Sequence, residues 1–293
     1  MRCVKSLNWA LKIASASLLM VGFGSIAIAG SIQQPGLTTG LAEGYGLTEG
    51  FYSVTALNFG YRNTSPDATK GLTAIPTFIT WSTPLEIADA RVLLKAAPYV
   101  YVKMDAGKAN FSGSYSPYYA VWLSWYLGDG LNLALGEGVQ VGTNSSLSKA
   151  TGRDYSAFQQ NIALSYVKNN WNITGNSFFT AGKTTVLASQ PKTANLDFTA
   201  IKRDGRMESG FIGYLQTDLN RPSTGYGSKQ TEVAVGWMYG YLIGNQISVQ
   251  VKLTTDIYQK NIGGRDTRLW FQIIVPIFTP AAPAPSRSPN IVK

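Results

Sequence analysis

Histidine is absent from all 293 residues and the single cysteine is Cys3. The chain therefore lacks the commonest general base, the commonest transition-metal ligand and any disulfide framework. Among strongly charged side chains, carboxylates, ammonium and guanidinium groups remain. Eight of these stand at alternating positions in otherwise apolar runs: Arg91, Lys95, Lys103, Glu208, Glu232, Lys252, Asp256 and Arg268. In "ISVQVKLTTDI" (Ile247–Ile257), Ile247, Val249, Val251 and Leu253 fall on one side of an extended chain, and Gln250, Lys252 and Asp256 on the other. Both charge signs recur on the polar side. Such a set reads either as the lining of a pore or as an ion-pair network that fills and stiffens an interior.

Other motifs dissolve on inspection. "AGKTT" (Ala181–Thr185) imitates the end of a phosphate-binding loop, but Ser177 stands where the first glycine belongs. "GYGLTEG" (Gly44–Gly50) and "GEGVQVG" (Gly136–Gly142) have the wrong third spacing for a dinucleotide fingerprint. Glycines inside strands suit close packing or bulges better. No catalytic, cofactor-binding or metal-binding set emerges, and the chain is not expected to be an enzyme.

The alternating charges need strands to position them. Runs of period two bounded by Gly, Asn, Asp and Pro predict twelve strands, at 51–62, 71–83, 91–104, 118–127, 131–142, 157–168, 171–182, 194–203, 206–217, 230–243, 246–258 and 267–278. Most have the ten or so residues that cross a bilayer at a tilt. The joins sort by parity. After even strands come "PLEIADA", "GDG", "NN", "DG" and "GN"; after odd ones come long polar stretches such as "DAGKANFSGSYSP" and "GTNSSLSKATGRDYS". A soluble sandwich also offers short alternating strands, but its Greek-key connections have no reason to sort by parity. Short turns at one end and long loops at the other fit an all-β, membrane-spanning, antiparallel up-and-down barrel of about twelve strands, with the short turns periplasmic. The mean hydropathy of −0.01 is what alternation averages to.

Aromatic residues gather near the strand ends, among them Phe51, Tyr52, Trp81, Tyr118, Tyr119, Trp125, Trp171, Tyr241, Tyr258 and Phe278. Aromatic girdles of a membrane barrel sit there. Twelve strands about 4.8 Å apart and tilted near 40° enclose a radius of roughly 12 Å to the backbone, which leaves a narrow lumen.

Four regions follow. Residues 1–29 carry Arg2, Lys5 and Lys12, an apolar run and "AIA", the marks of a cleaved export signal. Three excess positive charges lie there, so the mature chain keeps about +6 of the formal +9. Its basic residues are scattered singly, which speaks against nucleic acid as a partner. Residues 30–50 are polar and glycine-rich, and form either a plug inserted in the lumen or a periplasmic tether; Glu43 or Glu49 would find partners in Lys252, Arg268 or Arg91. Residues 51–278 form the barrel, and residues 279–293 a Pro-rich disordered tail.

The chain resembles the outer-membrane transporter family associated with the meta-pathway of phenol degradation. The resemblance spans Glu49 to Phe278. It is carried by "EGFYSVTALNFGYR", "WNITGNSFFT", "LDFTAIKRDGRMESGFIGYLQT" and "VKLTTDIYQKNIGGRDTRLWFQIIVPI". It implies a Gram-negative outer-membrane channel for passive uptake of small hydrophobic or aromatic molecules, in contact with outer-membrane lipids and delivered by the barrel-assembly machinery. The alternative is a closed, plugged barrel with a structural or surface-interaction role and no transport.

Overall fold

The computed structural model describes residues 33–65, 67–107, 109–150, 155–182, 191–221, 228–244 and 246–280. The stretch expected to be an export signal (1–29), all but two residues of the expected tail (279–293) and three of the five residues of "AGKTT" lie outside the described residues. Fourteen strand segments follow one another: β1 (Gly50–Arg62), β2 (Thr69–Ile87), β3 (Ala90–Ala97), β4 (Tyr101–Ala106), β5 (Ala109–Ser114), β6 (Tyr118–Gly128), β7 (Leu131–Gln140), β8 (Ala157–Lys168), β9 (Trp171–Gly182), β10 (Thr193–Asp204), β11 (Met207–Asp218), β12 (Thr231–Ile243), β13 (Ile247–Lys260) and β14 (Asp266–Phe278). Each pairs antiparallel with its neighbours, and β1 pairs with both β14 and β2, so the sheet closes. β3 with β4, and β5 with β6, are the two halves of single interrupted strands. The result is a closed barrel of 12 strands.

Two-residue turns with left-handed backbones close hairpins at one end, for instance Ala88–Asp89 and Asn169–Asn170. "PLEIADA" is thus shorter as a join than the sequence suggests: β2 runs on to Ile87. Pro84, which has no N–H to donate, sits in a bulge between Ser82 and Glu86, where the ladder does not need one. The longer connections at the other end carry structure of their own. "DAGKANFSGSYSP" contains β5, and the next long connection holds a short helix, α1 (Ser146–Ala150), whose Leu147 packs with Val102, Met104, Tyr115 and Tyr155.

The distribution of side chains is inverted relative to a soluble protein. Along β13, Ser248, Gln250, Lys252, Thr254 and Asp256 are buried while Val251, Leu253 and Ile257 are exposed. Asn132, Gln159, Asn161, Asn176, Gln216 and Gln272 are buried elsewhere, and Phe158, Ile162, Leu164, Phe198, Phe211 and Phe271 are exposed. An apolar outer surface this continuous is stable only against lipid. Phe51 and Trp81 stack at 5.3 Å on the short-turn side of that belt. Tyr118 does not join the girdle. It is buried and stacks on Phe78 at 6.3 Å, in space left by Gly138. The barrel is expected to run faster on denaturing gels unheated than heated, because a closed sheet has no edge from which detergent unzips it; identical mobilities would contradict closure.

Three ladders break at one height. β2 pairs with β3 as far as Ile79↔Ala96 and with β4 from Ala74↔Tyr101, in the same register, so residues 75–78 and 97–100 face each other without ladder partners. β3–β6 pairing stops at Ala97↔Tyr118 and β4–β5 pairing resumes at Tyr101↔Ser114. β1 and β2 shift register between Val54 and Ala56. The cause is legible: Pro76, Pro98 and Pro117 lie in these three stretches and none has an N–H to donate.

Candidate functional site

Residues 33–49 run through the barrel interior before entering β1 at its short-turn end. Their turns are held from several walls. The Asp197 carboxylate on β10 accepts from Gly36 N at 2.8 Å, Thr38 N at 2.9 Å and Thr38 Oγ1 at 2.7 Å. On β13, Lys252 Nζ donates to Thr39 O at 2.8 Å and to Gln272 Oε1 at 2.7 Å, and lies 5.0 Å above the Trp270 ring. Thr39 and Lys252 are both fully buried. Gly40 N donates to Thr199 Oγ1, Gly44 N to Ser165 Oγ, and Ser124 Oγ to Gly44 O. At Gly44 the chain passes so close to the wall that an added Cβ would lie 2.8 Å from Ser165 N and 2.9 Å from Ala163 O. Gly36 holds a φ of 82° against the Tyr214 ring, a conformation that favours glycine.

The eight charged residues singled out in the sequence separate into three levels, with one exception. Nearest the long loops, Glu232, Asp256 and Arg268 gather with two residues the parity argument did not select, Arg62 and Asp266. Arg62 reaches Glu232 at 3.2 Å, Asp256 at 3.4 Å and Asp266 at 3.0 Å, and Arg268 pairs with Asp266. All five are buried. Lys252 forms the middle level with Asp197. Towards the short turns, Lys95 pairs with Glu43 of the interior segment and lies 3.6 Å above the Trp122 ring. Glu208 pairs with Arg203 and accepts from Ser248 Oγ at 3.1 Å. Arg91 stands at the rim, 2.8 Å from Glu86.

Lys103 is the exception. Its side chain is 43% exposed and 3.7 Å from Asp105, and it pairs in register with Leu72, on the face opposite buried Val102 and Met104. Parity counted through an unbroken strand from Lys95 puts it inside. The register with β2 is kept across the break, but the alternation within the strand is not: Pro98 and Tyr99 are both exposed, so every side chain after them faces the opposite way from the parity count. Glu43 finds Lys95, not Lys252, Arg268 or Arg91, because the segment reaches Lys252 with its Gly36–Thr39 turn and passes Lys95 seven residues later.

Below the Asp197–Lys252 level lies a cavity of about 510 Å³. Leu41, Leu47, Val54, Phe78, Leu93, Ile201 and Ile274 supply its apolar wall, and its charges are the Lys95–Glu43 and Arg203–Glu208 pairs and Lys168, which pairs with Asp129. Beside the segment and above that level the spaces are small, from about 30 to about 60 Å³. Among the described residues no acidic cluster is arranged to hold a metal ion. The arrangement can bind and pass a small molecule with a large apolar surface, and the segment stands across its route.

The model of the family described as "Putative MetA-pathway of phenol degradation" matches residues 60–273. No curated protein matches the sequence. Among solved structures, an outer membrane channel from Pseudomonas putida F1 superposes with a TM-score of 0.62 at 10% identity, covering 78% of this chain and 96% of that one. The CymD monoaromatic hydrocarbon channel gives 0.46 at 9% identity over 82% and 91%, and the NanC porin 0.46 at 9% over 75% and 98%. At these identities the first likeness speaks for the fold alone.

Proposed function

The chain belongs to the MetA-pathway phenol-degradation family, and from that premise we propose that it is an outer-membrane channel for passive entry of small hydrophobic or aromatic molecules. One observation carries this reading: a barrel with a lipid-facing apolar exterior holds a cavity of about 510 Å³ whose wall is largely apolar and whose charges are paired internally. A neutral ring loses little by leaving water for such a wall. A carboxylate would find Lys95 and Arg203 already engaged by Glu43 and Glu208. The family's link to phenol degradation agrees with that chemistry. The lumen-facing charges then act as scaffold more than as selectivity filter: they hold the walls and the segment, and the apolar patches between them meet the solute.

Planar-bilayer recording of the refolded protein tests the reading. Small single-channel conductance steps are expected, with a concentration-dependent reduction on adding phenol or toluene as the ring occupies the cavity. A barrel that conducts nothing and whose host cells take up no more aromatic solute than cells without it would overturn the channel and leave a structural barrel.

A further inference from the structure

Glu137, in the "GEGVQVG" stretch, puts a carboxylate on the outer face of the barrel. Along β7, Asn132, Ala134, Gly136, Gly138 and Gln140 are buried towards the lumen, while Leu135, Glu137 and Val139 are exposed on the other side. Glu137 stands opposite Val121 of β6 and Gln160 of β8, and Gln160 is itself exposed, between Phe158 and Ile162. Gln160 Nε2 donates to Glu137 Oε1 at 3.0 Å. An acid and an amide are thus set into an apolar belt whose lipid tails offer them no hydrogen bonds. The head groups lie too far off to serve. Exposed Val139 and Val141, with Phe158 on β8, carry the apolar surface on towards the long loops. The four residues from Glu137 to Val141 rise about 10 Å at about 3.3 Å per residue and a tilt near 40°, beyond the reach of a glutamate side chain. Leu135, Ile162 and Leu164 extend the same surface towards the short turns.

The pair is also only half satisfied. A carboxylate has about four lone-pair positions and an amide two N–H groups; a single hydrogen bond joins the two side chains, and Glu137 Oε2 and the second N–H of Gln160 have no partner among the described residues. We infer that the outer faces of β7 and β8 form the contact surface of a homodimer, in which two copies meet across a two-fold axis along the membrane normal. Such an axis turns the second copy to face the first, so the Gln160 of each lies opposite the Glu137 of the other. The second N–H of each amide then donates to Oε2 across the contact, and the two pairs close a hydrogen-bonded ring. A bond to a charged acceptor is strong where no water competes for it. Val121, Leu135, Val139, Phe158, Ile162 and Phe179, all exposed on this side of the barrel, surround the ring and keep water out. These apolar neighbours would not draw two barrels together by themselves, because lipid tails are as apolar as they are. The polar pair makes the difference, and a second copy carries the complementary pair at the same depth.

Native mass spectrometry of the purified barrel in lipid nanodiscs tests this. Wild type is expected as a dimer, and Glu137→Leu as a monomer at the same protein-to-lipid ratio, its dimer dissociation constant raised about tenfold or more by the lost hydrogen bonds. The substitution takes a charge out of the lipid belt, so heat-modifiable migration should be unchanged. A wild-type monomer would overturn the dimer, and an amine-bearing lipid held by that monomer but not by Glu137→Leu would assign the pair to a lipid instead. Glu137→Leu dimerising as tightly as wild type would overturn it as well. If Glu137→Leu fails to assemble, cysteine coupling decides with the pair intact. In outer membranes a short bis-maleimide is expected to join Val139→Cys copies into a species of twice the mass, and to leave Leu253→Cys, on the opposite wall of the barrel, uncoupled. Equal coupling at the two positions, or none at Val139→Cys, would count against the dimer.

Discussion

Deleting residues 33–48 is expected to raise single-channel conductance several-fold. The segment occupies the interior at the level of Asp197 and Lys252 and separates a cavity of about 510 Å³ from spaces of about 60 Å³ or less. Removing it joins them. Asp197→Ala should do the same in part, because it takes away an acceptor that binds Gly36 N, Thr38 N and Thr38 Oγ1. Hydrogen bonds to a charged group contribute about 1.5 to 3 kcal/mol each, and every 1.4 kcal/mol or so shifts a closed-to-open ratio tenfold. Open-state events should therefore become more frequent in Asp197→Ala while the size of each event approaches that of the deletion. Conductance unchanged in the deletion would mean that the segment does not obstruct the route, and would return gating to the long loops.

The second large effect separates the two faces of one strand. Leu253 is 54% exposed near the middle of β13 and is flanked in register by Trp237 and Leu269. Leu253→Arg places a cation in the lipid belt and is expected to cost about 2 to 4 kcal/mol of barrel stability, read as a lower midpoint in urea titration in the presence of lipid vesicles. Gln250 points the other way. From the sequence, an arginine there looks merely tolerated in a wet lumen. The structure changes that expectation, since an added Cβ at Gly40 would lie only 2.6 Å from Gln250 Oε1. Gln250→Arg should keep the urea midpoint near that of wild type yet push on the segment and raise conductance. If Leu253→Arg were no more costly than Gln250→Arg, the assignment of faces would be reversed.

Much of this was legible in one dimension because a strand's side chains alternate with a period of two. Lys252 and Asp256 could be placed inside from Val251 and Leu253 alone, and the same parity applied to "NLDFT" would have found Asp197 between Leu196 and Phe198. Arg62 and Asp266 escaped it because they stand at strand ends, where no apolar neighbours on both sides mark a face. Lys103 was misplaced because parity is counted along a chain assumed unbroken, and Pro98 breaks it.

The amino-acid sequence by itself determined the inside-out barrel, its strand number and its polarity, since these follow from local alternation and from which joins are short. Pro76, Pro98 and Pro117 are visible in it too, but as isolated residues on separate strands. Only the tertiary structure brought them to one height, because register between strands decides which residues are level. It also decided the course of residues 33–49. A glycine-rich polar segment has no periodicity of its own to declare a conformation, and its path is set by the donors and acceptors that Asp197, Lys252, Ser165 and Lys95 present from strands distant in sequence.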